Sequence, residues 1–290
     1  MHCETFQCIP VGFREFYSLI SGVLAVRALV FALVMVLMPL AAPNVSWGMT
    51  DAEAINVSGR QRMLSQRMMK SYLMLGADIK ADEAQKQLDQ SVALFESQFL
   101  ALRDYAPDEG INALLDKVES IWLTHRQAIL QSPDKKNVDE LMRDNLKLLT
   151  ACNDVVKAIE NYSGIASGRL VNISGRQRML SQKIAKVYMA LAWNIDDPGL
   201  NDEFDAAVNL FEESLNELKE SDSNTEELAV ALTRVSNQWS FSRSGFELSE
   251  AGRYVPTVIS VTTESILKKM DAITGQYQTV MNKQQMLAAE

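Results

Sequence analysis

Nine consecutive residues, SGRQRMLSQ, occur at Ser58–Gln66 and recur unchanged at Ser174–Gln182. The match extends well beyond this stretch. An offset of 116 places Tyr72 on Tyr188 and Ile79 on Ile195, and it aligns DQSVALFESQFLAL (Asp89–Leu102) with DAAVNLFEESLNEL (Asp205–Leu218). An offset of 117 aligns VESIWLTHR with VSNQWSFSR, which superposes Trp122 on Trp239 and Arg126 on Arg243. Such periodic self-similarity marks a duplicated unit and dominates what the chain can fold into. Few glycines and prolines interrupt it, 13 and 7 in 290 residues, so long helices are expected.

Each unit reads as four helices. In the first they run about Asp51–Ala77, Asp82–Tyr105, Ile111–Gln131 and from Asn137 past Tyr162, with breaks at APDEG and SPDKK. In the second the breaks fall at DDPG, SDSN and SEAGRYVP, and the last helix spans about Thr257–Leu287. Asp134 or Asn137 is the expected cap of the fourth helix. Short connections make neighbours antiparallel. The expected fold is all-α, two tandem antiparallel four-helix bundles over 49–163 and 164–290. If the fourth helix ran unbroken into the second unit, it would span about 55 residues or about 80 Å. The bundles would then lie end to end, with each motif pairing across a homodimer. A bend near Gly164–Gly168 would instead bring the two motifs together in one chain.

Residues 1–48 read as a signal peptide or N-terminal anchor. Arg27 precedes an apolar run from Ala28 to Pro43, and Ser46 and Gly48 occupy the small-residue positions before a cut at Met49. A periplasmic location is therefore expected, membrane-anchored if the leader is retained. The net charge of −9 falls on the rest of the chain, because Glu4, Arg14, Glu15 and Arg27 cancel, and such a surface repels nucleic acid. Only Cys152 and His125 follow the leader among cysteines and histidines, so no Cys or His metal constellation and no nucleophile–base pair emerges. No cofactor and no enzymatic activity are expected. The methionines Met63, Met68, Met69 and Met74 do not share one face and read as core filler, as do Trp122 and Trp239.

On a helical wheel, Val57, Leu64, Met68, Tyr72 and Leu75 form one stripe, the core face of the bundle. Ile55, Ser58, Arg62, Ser65, Met69 and Leu73 form a second, with Arg62 in its middle, while Arg60 and Arg67 point toward solvent. Val171, Ser174, Arg178, Ser181, Ala185 and Met189 repeat the second stripe. A helix with two such stripes packs on two partners, and Gly59 and Gly175 allow close approach. Two arginines facing each other repel unless something negative lies between them, and a small planar oxyanion matches the parallel donors of a guanidinium. The bland reading is equally concrete: each arginine holds the interface through a carboxylate on another helix.

The stretch DAEAINVSGRQRMLSQR (Asp51–Arg67) resembles the P-box of the periplasmic sensor domain in nitrate/nitrite-sensing histidine kinases. The chain also resembles the related N-terminal domain of PilJ-type methyl-accepting chemotransducers. The resemblance implies a non-catalytic sensor for a small oxyanion, nitrate or nitrite, bound at Arg62 and Arg178 with Ser58, Gly59, Ser65, Ser174, Gly175 and Ser181 around them. It departs at SGRLV (Ser167–Val171), which replaces DAEAI in the second unit, and at Lys183, which replaces the closing arginine. Neither a HAMP linker nor a kinase or methyl-accepting region follows, so output is expected through a protein partner in the envelope. The alternative is a ligand-free helical module that docks a membrane receptor or a pilus or chemotaxis component.

Overall fold

The computed structural model describes residues 48–164, 166–250 and 253–288. The expected leader lies outside the described residues, apart from Gly48. The described residues form eight helices and no strand: α1 (Asp51–Gly76), α2 (Ala81–Tyr105), α3 (Glu109–Ile129), α4 (Lys135–Ser163), α5 (Ala166–Ala192), α6 (Leu200–Lys219), α7 (Glu226–Glu250) and α8 (Pro256–Ala288). None of them is long and apolar enough to cross a membrane.

Local chemistry explains the boundaries. Thr50 caps α1 by accepting from the Glu53 amide, Asp108 caps α3 through the Ile111 amide, and Asp134 caps α4 through the Lys136 amide. Gly164 stops α4 in the left-handed region at φ 63°, which a glycine adopts without strain. The chain therefore turns back there rather than continuing as one long helix, and α5 returns alongside α1.

Within each repeat the helices pack in the expected antiparallel square, and equivalent contacts hold both. Phe95 lies on Trp122 with ring centroids 4.3 Å apart, and Phe211 lies on Trp239 at 4.1 Å. Arg126 pairs with Glu96, and Arg243 with Glu212, each at 2.5 Å. The Tyr72 hydroxyl accepts from the Asp134 amide, and the Tyr188 hydroxyl accepts from the Val255 amide. Both tyrosines thereby tie the central helix to the start of the fourth.

The two bundles lie side by side, and Gly48–Glu290 forms one compact unit. Their seam is the α1–α5 pair, the most extensive helix–helix contact among the described residues. These helices run parallel and nearly in register, since Arg62 reaches Asn172, Arg178 reaches Asn56, and Lys70 reaches Gln182. Being central, α1 is buried on nearly every side. The two-stripe picture of this helix therefore needs correction. Its third side is not solvated: Arg60 pairs with Asp271 and Arg67 with Glu264, both on α8.

The far end of the seam closes on a glycine. A Cβ added to Gly76 would lie 2.1 Å from the Trp193 ring, which stacks over the end of α1. Gly76→Ala is expected to push that ring out and lower stability by about 1–3 kcal/mol, as overpacking does. Urea unfolding followed by tryptophan fluorescence checks this, and an unchanged midpoint would show that the ring moves at no cost.

Candidate functional site at the paired-arginine seam

The repeated motif forms the middle of the seam. Arg62 and Arg178 are almost fully buried, at 1% and 0% exposure. A Cβ built on Gly59 would stand 3.4 Å from Arg62 Nη2 and 3.5 Å from Arg178 Nη2, and one on Gly175 would stand 3.7 Å and 3.1 Å from the same two atoms. The two guanidinium groups thus meet within about 7 Å, where like charges repel. The glycines are what leave room for them. The motifs pair within one chain, the arrangement that the bend at Gly164 permits.

Each arginine is anchored by its own fourth helix and by the other repeat. Arg62 donates through Nη1 to Asn153 Oδ1 on α4 at 3.0 Å, and through Nη2 to Asn172 Oδ1 on α5 at 2.8 Å. Arg178 donates through Nη1 to Asp271 Oδ1 on α8 at 2.5 Å, and through Nη2 to the Asn56 carbonyl on α1 at 3.1 Å. The Nε atoms of both arginines are buried without a partner. The serines turn inward on their own helix: Ser58 and Ser174 donate to the carbonyls of Ile55 and Val171, and Ser65 and Ser181 to those of Arg62 and Arg178. The structure brings all eight motif residues to one seam, but the serine hydroxyls spend their protons locally.

The two halves differ in charge. Asn153 and Glu160 on α4 stand where α8 has Asp271 and Gln278. Arg178 therefore touches a carboxylate directly, whereas Arg62 meets only amides, and Glu160 reaches it through the Asn172 side-chain amide. Burial lowers Arg62 to about 9, and the neighbouring charges of Arg178 and Arg176 add to this. Burial lowers Arg178 to about 10 against the pull of Asp271. Both stay protonated at neutral pH, so the middle of the seam holds two buried guanidinium cations of which one, Arg178, touches a carboxylate directly.

The seam is closed to solvent, as the burial of both arginines shows. Behind it, in the core of the first bundle, a void lined by Ser58, Gln61, Phe99 and Cys152 measures about 10 Å³, room for at most one water. The Cys152 thiol there is buried and pushed up to about 12 by burial, which keeps it unreactive.

Several residues of this network lie outside the repeated stretch. Asn56 and Asn172 occupy equivalent positions two residues before it, and Lys70 and Lys186 occupy equivalent positions four residues after it. Their identity in both repeats was the available signal. Asn153 and Asp271 carried none, because they differ between repeats.

The family model described as the type IV pili methyl-accepting chemotaxis transducer N-terminal domain (PilJ) matches residues 48–144 and 165–243. These segments cover α1–α3 with the start of α4, and α5 and α6 with most of α7. No curated protein and no solved structure matches the chain. With both halves of the duplication matched, and the repeated motif near the start of each matched segment, the chain belongs to the PilJ family of helical sensory domains and carries that domain in tandem.

Proposed function

We propose that this protein is a non-catalytic sensory module of the cell envelope that acts through contact with another protein, such as a membrane receptor or a pilus or chemotaxis component. The observation that carries the reading is the polar seam. Two in-register central helices are held across the repeats by hydrogen bonds from Arg62, Arg178 and Lys70, where most bundles have apolar packing. Buried polar contacts fix one register and disfavour intermediate positions. A change at the seam therefore shifts one bundle against the other by a discrete step, the kind of movement by which helical sensors signal. Capture of envelope proteins on the full chain tests this. The same proteins are expected to bind less to a variant whose seam is altered by Arg62→Ala and Arg178→Ala together. Equal capture by both forms would make the seam irrelevant to output.

A second reading is favoured by one specific feature, the two buried guanidinium groups with unpartnered Nε atoms and a single direct carboxylate. A small oxyanion, nitrate or nitrite, would relieve their repulsion and accept from both. Because both guanidinium groups are buried, it would have to part α1 from α5 to enter, which couples binding to the same movement. Thermal unfolding with nitrate, nitrite, sulfate and phosphate distinguishes the readings. A selective, saturable rise in Tm that Arg62→Ala abolishes is expected for the oxyanion site. That substitution alone is expected to change stability by less than about 1 kcal/mol, since it removes a repelled charge along with its hydrogen bonds. Flat responses to all four anions would leave the contact module without a small ligand.

A further inference from the structure

Lys70 and Lys186 are equivalent in the two repeats, and both are buried. Their carboxylates come from different places. Lys70 is answered from α8 by Glu264, and the equivalent position on α4 is Leu146. Lys186 is answered from α6 by Glu203, and the equivalent position on α2 is Gln87, which bonds Glu83 instead. The consequence is steric. Glu264, with Arg67 forked on it, fills the space beside Lys70. No long side chain of α4 crosses to Lys186, and a cleft of about 310 Å³ stands open between α4, α5 and the α5–α6 connection.

The cleft has a defined charge pattern. Lys186 at its floor is neutralised by Glu203 at 3.0 Å, and Lys183 pairs with the same oxygen. The rim carries Arg143 and Asp139 from α4, and Asp196 and Asp197 from the connection. Among the described residues, the side chains of Arg143, Asp139 and Asp196 make no ion pair or hydrogen bond, and Asp197 Oδ1 caps the Gly199 amide. Met142, Leu146 and Pro198 supply apolar wall, with Leu146 52% exposed. Among the described residues no group of His, Cys, Asp or Glu is placed to hold a metal ion, so the carboxylates are not a cation cage.

One unpaired guanidinium, unpaired carboxylates and an apolar wall ask for one ligand carboxylate, two ammonium groups and a methylene stem. We propose that this cleft binds a small dibasic amino acid of the lysine or ornithine kind. Its carboxylate lies on Arg143, its ammonium groups lie on Asp139 and Asp196, and its stem lies against Leu146 and Met142. The cleft is at the small end of the range for ligand pockets, about 300–1,000 Å³. Simple oxyanions are disfavoured by the carboxylates, so this site is separate in chemistry as well as place from the arginine seam.

Calorimetric titration of the full chain with L-lysine, putrescine and L-glutamate tests it. Saturable lysine binding is expected, with none for glutamate. Asp139→Asn combined with Asp196→Asn is expected to weaken lysine binding about tenfold or more, and Arg143→Met to weaken lysine about tenfold while sparing putrescine. These side chains are exposed and unpartnered, so unfolding midpoints should not move, and Arg62→Ala should leave lysine binding intact. No saturable heat with lysine, unchanged affinity in the double variant, or glutamate bound as tightly as lysine would each overturn the proposal.

Discussion

Glu264→Gln is expected to destabilise the protein by about 3–5 kcal/mol, the range for removing one partner of a buried ion pair. The Lys70 ammonium has no solvent contact, and its partners are Gln182 Oε1 at 2.8 Å and Glu264 Oε1 at 2.5 Å. Arg67 forks onto the same carboxylate through Nε and Nη2, both at 3.1 Å. Burial works to raise the Glu264 pKa, yet Lys70 and Arg67 hold it down at about 2, so the carboxylate is ionised throughout the neutral range. Replacing it with an amide leaves a fully buried ammonium and a half-buried guanidinium facing a neutral group. Lys70→Met in the same chain removes the stranded charge and is expected to restore much of the loss. A double-mutant cycle by urea unfolding measures this directly. If Glu264→Gln alone unfolds like the wild type, the pair contributes nothing to holding α8 against α1.

Stability is also expected to fall by about 3 kcal/mol between pH 6.5 and pH 4 because of His125. The ring is buried beside Trp122, at a centroid distance of 6.3 Å, and neither nitrogen has a partner. Burial lowers its pKa from 6.5 to about 4, with Asp144 pulling weakly the other way. The folded state therefore keeps the imidazole neutral while the unfolded chain takes up a proton. Stability is complete above the unfolded value of 6.5, declines as pH falls, and levels once pH drops below the folded value. Denaturation at pH 7.5 and pH 4.5 reads the effect, and His125→Leu is expected to remove the slope between those two points. Protonation of Glu264 adds a separate loss only below 4.5, as pH falls toward about 2. A slope that survives His125→Leu would assign the acid lability elsewhere.

Apart from the junction of α4 and α5, periodicity and breakers place the helices in the sequence to within a few residues, because capping and turn chemistry are local: Asp108 and Asp134 act on their own neighbours. The duplication likewise shows in the sequence, since equivalent core contacts such as Phe95–Trp122 and Phe211–Trp239 keep equivalent residues. The placing of Arg62 and Arg178 on a stripe that faces another helix is legible in the same way. Arg60 and Arg67 show the limit. A helical wheel assigns them to solvent because it knows one helix at a time, and it contains nothing of α8 lying on that side with Asp271 and Glu264.

An all-helical duplicated chain, its breaks within each repeat, and one arginine on the second stripe of each repeat are written in the order of the amino acids. That the repeats fold back on one another at Gly164 rather than extend end to end comes from long-range packing. A choice between bend and straight helix there turns on packing of α1 against α5, which is a sum over residues more than a hundred positions apart. The partners of the buried charges were decided in the same way. Asn153, Asp271, Glu264 and Glu203 sit on ordinary polar helix positions, and what makes one of them answer a buried cation is which helix the fold lays beside it. The same holds for the open cleft, which exists because Leu146 stands where its counterpart on α8 is a glutamate.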